Sequence, residues 1–303
     1  MSIKQWKQVI TITVVATIII LFILTIVFAI RSYHLKNFME SDNVIIMSED
    51  RDSRHQDLKE LVRYFEKATP KGNLSYKQQY PALYVENTYR FIKSNDKEKV
   101  CYLTFDDGPD AENTAKILDI LQQFDIHATF FVVYKDDEAS NLLYNRIVKE
   151  GHTIAVHTAS HDYDEIYSSV SAYLKDFSKI SSHIIEVTGI KPEIFRFPGG
   201  SVNAYNIKIH KELTAEMLRR GYVYYDWTVS GGDAAKAYVS SSEIVENVVS
   251  GCEEESESIV LLHDGAGHYT TAEALPEIIR RLKNQGFSFA ALDNSVNPCF
   301  FGY

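Results

Sequence analysis

Asp106 and Asp107 stand side by side in Thr104-Phe105-Asp106-Asp107-Gly108-Pro109, directly after the apolar run Val100-Cys101-Tyr102-Leu103. Two neighbouring carboxylates repel unless a cation shares their charge, so the pair asks for a metal ion or an arginine. Plain turn chemistry would also use Asp-Gly-Pro. Four further clusters carry complementary groups: His157-Thr158-Ala159-Ser160-His161, Arg196-Phe197-Pro198-Gly199-Gly200, Asp226-Trp227 and His263-Asp264. The spacing of His157 and His161 lets a helical turn or tight loop aim both imidazoles at one point. With a strand-end carboxylate they form a His-His-Asp set that leaves coordination positions for water and substrate. Such a set suits a divalent metal, zinc best, with cobalt, nickel or manganese as alternatives, and the ion acidifies a water.

Of the two aspartates, one can bind the metal while the other takes a proton from the attacking water. Arg196 would hold the base carboxylate in place and keep it charged; a structural salt bridge is the other reading. His263 is suited to act as general acid for a departing amine or alcohol, with Asp226 orienting and charging it. Trp227 and Leu261 would form an apolar wall for a small acyl group. The combined chemistry is metal-assisted hydrolysis of an acyl bond.

These clusters need elements that bring them together. Short β-rich runs at 100–103, 128–133, 153–156, 194–197, 223–225, 258–262 and 287–292 read as seven strands. Helical periodicity falls between them at 113–124, 142–149, 168–188, 211–220, 242–250 and 271–285, with Gly151, Gly189 and Gly221 as stops. Alternating strands and helices predict an α/β fold with a parallel sheet, open or closed into a barrel. Each polar cluster follows a strand, and in a (β/α) barrel all strand ends meet on one rim.

The rest of the chain bounds the setting. A composition of 45% hydrophobic and 24% charged residues is that of a globular protein, and a net charge of -10 argues against a nucleic-acid partner. Three cysteines are too few for a disulfide scaffold; Cys101 reads as a buried apolar residue, and a Cys252–Cys299 bridge is left open. Residues 9–30 carry no charge and would span roughly 33 Å as a helix, one hydrocarbon core. The expectation is a tail at 1–8, a single-pass signal-anchor at 9–30, and a polar stalk at 31–78 with one short amphipathic helix. The catalytic domain, 79–303, would then lie outside the cytoplasm at the cell membrane. A cleaved signal peptide is the alternative.

With all five clusters placed, the chain resembles the polysaccharide deacetylases with a NodB-homology domain, carbohydrate esterase family 4, over residues 95 to 292. The motifs are Thr104-Phe105-Asp106-Asp107, His157 to His161, Arg196-Phe197-Pro198, Asp226-Trp227 and Leu261-Leu262-His263. The resemblance implies a distorted (β/α)7 barrel that removes N-acetyl groups from a GlcNAc-type cell-wall polysaccharide, peptidoglycan first. It implies Asp106 as base, Asp107, His157 and His161 as metal ligands, Arg196 tuning Asp106, Asp226 tuning His263, and His263 as acid. It also implies an oxyanion held by the metal and the Gly199 N–H. Gly199-Gly200 stands where the family commonly has an aromatic residue, so the wall of the sugar groove differs. An N-acetylmuramic acid deacetylase, a xylan-type O-acetyl esterase and a non-catalytic wall-binding module are the alternatives. No protein partner is implied.

The aspartate pair should divide its labour. Asp106→Asn is expected to retain metal and lose turnover, and Asp107→Asn to weaken metal binding itself. Metal content by atomic spectroscopy alongside activity checks this, and equal metal loss in both variants contradicts it.

Overall fold

Lys99–Asp106 (β1) is the strand on which the sheet is built, buried without interruption from Cys101 to Asp106. A computed structural model of the chain describes residues 75–86 and 98–301, which belong to one compact unit; the expected anchor at 9–30 and most of the stalk lie outside the described residues. No helix among the described residues is long and apolar enough to cross a membrane.

After β1 the chain alternates as its apolar periodicity predicts. Asn113–Phe124 (α1) leads to Thr129–Val133 (β2), and Glu138–Lys149 (α2) to Thr153–Thr158 (β3). Tyr163–Ile166 (α3) and Val170–Thr188 (α4) precede Ile194–Phe195 (β4), and His210–Arg219 (α5) precedes Val223–Tyr224 (β5). Then come Val229–Ser230 (β6), Ser241–Gly251 (α6), Glu257–His263 (β7), Tyr269–Asn284 (α7) and Phe287–Phe289 (β8). All pairings are parallel, in the order β5-β4-β3-β2-β1-β7-β6. Parallel strands buried on both faces carry continuous Val, Ile, Leu and Phe runs, which is why they were legible.

Three expectations change. First, no ladder among the described residues joins β5 to β6, so the sheet is a curled half-barrel and not a closed (β/α)7 ring. Second, β8 does not add a rim strand. β7 occupies one edge of β1 from Val100 to Asp106, while β8 pairs at Lys99–Cys101 and β2 at Thr104–Asp106, so these two share the other edge in tandem. Third, the helix expected over 168–188 starts two residues later, at Val170, because Ser169 adopts an extended backbone and caps α4 through its side chain to the Ala172 N–H, and the separate turn α3 precedes it.

Cys101, Cys252 and Cys299 are free thiols. Cys252 lies within hydrogen-bond reach of Cys101, and the Cys299 thiol meets the Trp227 carbonyl at 3.6 Å, so Cys252 and Cys299 do not pair.

The segment before the barrel is held by Arg220, at the foot of β5. Its fully buried guanidinium donates to the carbonyls of Tyr76 (3.1 Å), Gln79 (2.9 Å), Tyr80 (3.0 Å) and Leu83 (3.3 Å), with Glu216 neutralising its charge at 2.7 Å. Gly221 follows with φ +86, and an added Cβ would collide with the Val85 carbonyl oxygen. Gly221→Ala therefore combines a left-handed alanine, costing about 1–3 kcal/mol, with that collision. The expected result is a Tm lowered by about 4 °C or more in thermal denaturation; an unchanged Tm contradicts this close packing.

Candidate active site

The parallel register sets the centre of the site. Asp106 on β1 and His263 on β7 are direct register partners at the C-terminal ends of their strands, one strand spacing apart. Asp106 is buried and its Oδ1 accepts from Arg196 Nη1 at 2.8 Å. Arg196, the residue after β4, is fully buried. It also donates from Nη1 to Thr104 Oγ1 (2.7 Å), from Nε to the Tyr225 carbonyl (2.8 Å) and from Nη2 to the Asp226 carbonyl (3.1 Å), and it stacks 4.2 Å from the Phe131 ring centroid. The contact with Asp106 is thus single, not forked, and leaves Oδ2 facing the cluster, 3.9 Å from His157 Nε2.

Asp107 turns the other way because its φ is 75°, in the left-handed region. Its Oδ1 comes 3.1 Å from His161 Nε2 and 3.4 Å from His157 Nε2. The three ligand atoms lie within 4.8 Å of one another, and Asp107 Oδ1 is buried with no hydrogen-bond partner. His157 Nδ1 sits 2.9 Å from the Arg196 carbonyl. Donation to that carbonyl leaves the Nε2 lone pair for a metal. The β2–β3 register skips His157, since Val132 faces Val156 and Val133 faces Thr158; this irregularity re-aims the imidazole. His161 has φ 54°. Its loop is held from α4 by Asp176, which accepts from Thr158 Oγ1 (2.6 Å), Ala159 N (2.6 Å) and Ser160 N (2.8 Å). An orphaned buried carboxylate oxygen beside two converging imidazoles fits a divalent ion.

The electrostatics agree. Burial would raise the Asp107 carboxyl, but His161, and then His157 and His263, outweigh it and hold it well below the usual carboxylate range. Burial lowers His157 and favours the neutral ligand form. Burial opposes the charge on His161 as well, yet Asp107 prevails and raises it.

The expected partner of His263 is corrected. Asp226 is buried, and its carboxylate accepts from Ser201 N (2.8 Å), Ser201 Oγ (2.5 Å) and Phe301 N (2.7 Å). It serves the C-terminal segment and the loop after β4, not the imidazole. Asp233 is the partner: its Oδ1 lies 2.9 Å from His263 Nδ1, and its Oδ2 accepts from His263 N (2.7 Å) and Thr271 Oγ1 (2.8 Å). Strand order explains the difference, because β5 and β7 lie far apart while β6, which leads into Asp233, pairs directly with β7. A two-residue strand followed by Gly231-Gly232 is a faint signal, although an aspartate just beyond a short apolar run was there to be found. Burial would lower His263, but Asp233, helped by Asp106 and Asp107, pushes it up to about 9.

Asp264, noted in sequence only beside His263, supports the aspartate turn. Its buried carboxylate accepts from Gly108 N (3.0 Å) and Thr114 Oγ1 (2.5 Å), and its own N–H donates to the Asp106 carbonyl (3.0 Å). Burial raises it to about 7. Leu261 is buried two residues before His263, on the same face of β7. Trp227 is half-buried, edge-on to Phe301 at 4.7 Å and 5.9 Å from the Arg196 guanidinium. Gly199 has φ +73, and its N–H has no hydrogen-bond acceptor among the described residues.

A parallel half-barrel whose strand ends gather a carboxylate pair, a three-ligand cluster and an imidazole charged by an aspartate defines a hydrolase. The Polysaccharide deacetylase family profile matches residues 93–218. A peptidoglycan-N-acetylglucosamine deacetylase of Bacillus cereus is 36% identical over 204 residues, covering 65% of this chain and 88% of its own length. The peptidoglycan-N-acetylmuramic acid deacetylase of Bacillus subtilis is 28% identical over 212 residues, covering 69% and 76%. Among solved structures, the catalytic domain of a peptidoglycan N-acetylglucosamine deacetylase from Eubacterium rectale superposes with a TM-score of 0.65 at 35% identity, covering 71% of this chain and 96% of that one. The chain belongs to the polysaccharide deacetylase family.

The Asp233–His263 pair sets a pH dependence. As a general acid His263 would work only while protonated, and activity would fall as pH rises through the imidazole's titration. Asp233→Asn removes the carboxylate that raises it, and the alkaline limb of kcat/KM should move to lower pH. Asp226→Asn should leave that limb in place. A pH–rate profile of both variants reads the outcome, and a limb moved by Asp226→Asn alone would restore the original assignment.

Proposed function

We propose that this protein removes N-acetyl groups from GlcNAc residues of peptidoglycan, with Asp106 as base and His263 as acid. The observation that carries this is the placement of both groups, in register on β1 and β7, beside the Asp107–His157–His161 cluster. Those three residues would hold a divalent ion, zinc foremost, which would supply Lewis acidity when bound. Asp106, oriented by Arg196, accepts the water's proton at its Oδ2. The Gly199 N–H donates to the acetyl oxygen as negative charge develops there. His263, protonated at neutral pH through Asp233, delivers a proton from Nε2 to the departing nitrogen. Leu261 and Trp227 border the space for the acetyl methyl. Water and amide become acetate and a free amine.

The substrate rests on the relatives: the Bacillus cereus and Eubacterium rectale proteins are named for peptidoglycan N-acetylglucosamine. Retention of every acid, base and ligand residue speaks against a non-catalytic wall-binding module. Residues 9–30 as an uncleaved anchor, with the stalk at 31–78, would carry the domain to the wall from the outer face of the cell membrane.

Mass analysis of muropeptides after treating purified peptidoglycan with the zinc-loaded enzyme tests this reading. Loss of one acetyl mass on GlcNAc is the expected product. Loss on N-acetylmuramic acid instead, or acetate release only from O-acetylated xylan, overturns it. Chelation should abolish turnover and added zinc restore it, whereas full activity after chelation contradicts the metal-binding role of the cluster.

A further inference from the structure

Gly199 lacks a side chain, and the structure shows what stands where one would project. A Cβ built on Gly199 would lie 2.9 Å from Tyr163 Cε1 and 3.1 Å from its hydroxyl oxygen. The Tyr163 ring therefore fills the space into which a residue at 199 would project. It stands edge-on to the cluster residue His161, with centroids 5.3 Å apart, and leads outward to Tyr205 at 5.0 Å. Tyr163 is half-buried and Tyr205 is 45% exposed.

Both rings are built in rather than draped on the surface. Tyr163 opens α3, which Asp162 caps by accepting from the Glu165 N–H at 3.1 Å. Tyr167, from the end of that helix, donates its hydroxyl to the Pro198 carbonyl at 2.7 Å. Asn203 Nδ2 donates to the carbonyls of Pro198 and Gly200 at 3.1 Å each, while Asn203 Oδ1 accepts from the Tyr205 N–H at 2.9 Å. The helix and the glycine loop are thereby locked together, with a line of aromatic surface running from the cluster to solvent.

Flat rings beside a polar centre suit a ligand with an apolar face and a hydroxylated edge, which describes a pyranose. We infer that Tyr163 and Tyr205 form the glycan-stacking wall of this enzyme, Tyr163 against the sugar that bears the acetyl group and Tyr205 against its neighbour in the chain. This assignment rests on the glycan deacetylase reading and adds a specificity device placed outside the five motifs. It makes the wall a product of α3 and the loop after Asn203, with Gly199 left bare to admit it.

The test uses the zinc-loaded full chain with Tyr205→Ala, Tyr205→Trp and Tyr163→Phe. The readout is the ratio of kcat/KM for a GlcNAc tetramer to that for a small aryl acetate lacking a sugar. Tyr205→Ala is expected to lower this ratio about tenfold through KM, the equivalent of a lost stacking contact of about 1.4 kcal/mol. Tyr205→Trp should restore it, and Tyr163→Phe should lower it by less. Calorimetric binding of the tetramer to the wild type and to Tyr205→Ala provides a second reading. If the wild type leaves the tetramer acetylated, the proposed function fails while calorimetry still decides the wall. A ratio and a tetramer affinity unchanged in Tyr205→Ala, or equal losses on both substrates, overturn it.

Discussion

The interaction on which the rest depends is the buried pairing of Arg196 with Asp106. Arg196 follows β4, and three strand spacings separate β4 from β1, about 14 Å on a flat sheet. An arginine side chain is shorter than that. Its bonds to Thr104 and Asp106 can form only because the sheet curls, so the side chain crosses the hollow of the half-barrel. Such a pair is expensive to bury and more expensive to break, since removing one partner strands a charge at about 3–5 kcal/mol. The structure meets the cost by giving Arg196 two strand-end carbonyls and an aromatic face besides. The guanidinium that sets the electrostatics of Asp106 also holds the curvature that brings the strand ends together.

Around this centre the site stores strain and spends hydrogen bonds to retain it. Asp107 and His161, two of the three ligand residues, both have left-handed backbone, at about 1–3 kcal/mol each. Asp264 holds the turn at Asp107 and Asp176 holds the loop of His161, each with several short bonds from one carboxylate. The three candidate ligand atoms are thus brought close by the protein itself. The two halves of the acid–base pair have different neighbours: the Arg196 guanidinium fixes Asp106 in place, while the Asp233 carboxylate pushes the His263 imidazole toward its protonated form.

Much of this was legible in the sequence, for a physical reason. Strands buried on both faces must be apolar throughout, so β1, β2, β3 and β7 announced themselves, and the polar residues after them marked the rim. The aspartate pair, the histidine pair, Arg196 and His263 were found because each ends such a run. What failed was whatever depends on which strand lies beside which. Asp226 and Asp233 both follow short apolar stretches, and only the pairing of β6 with β7 selects the second. Strands of two residues leave almost no periodicity to read. Asp176 sits in mid-helix and Tyr163 in a single turn, and nothing local in their sequence shows that they face the site.

The Arg220 clasp has a mechanical consequence. It gathers the carbonyls of residues 76–83 at the N-terminal end of β5, whereas the reacting groups stand at the C-terminal ends of the strands. A pull arriving through the chain ahead of Ser75 would load a buried guanidinium braced against Glu216 on α5, not the β1 turn. The point where the chain ahead of Ser75 joins the domain and the rim of strand ends therefore lie at opposite ends of the sheet.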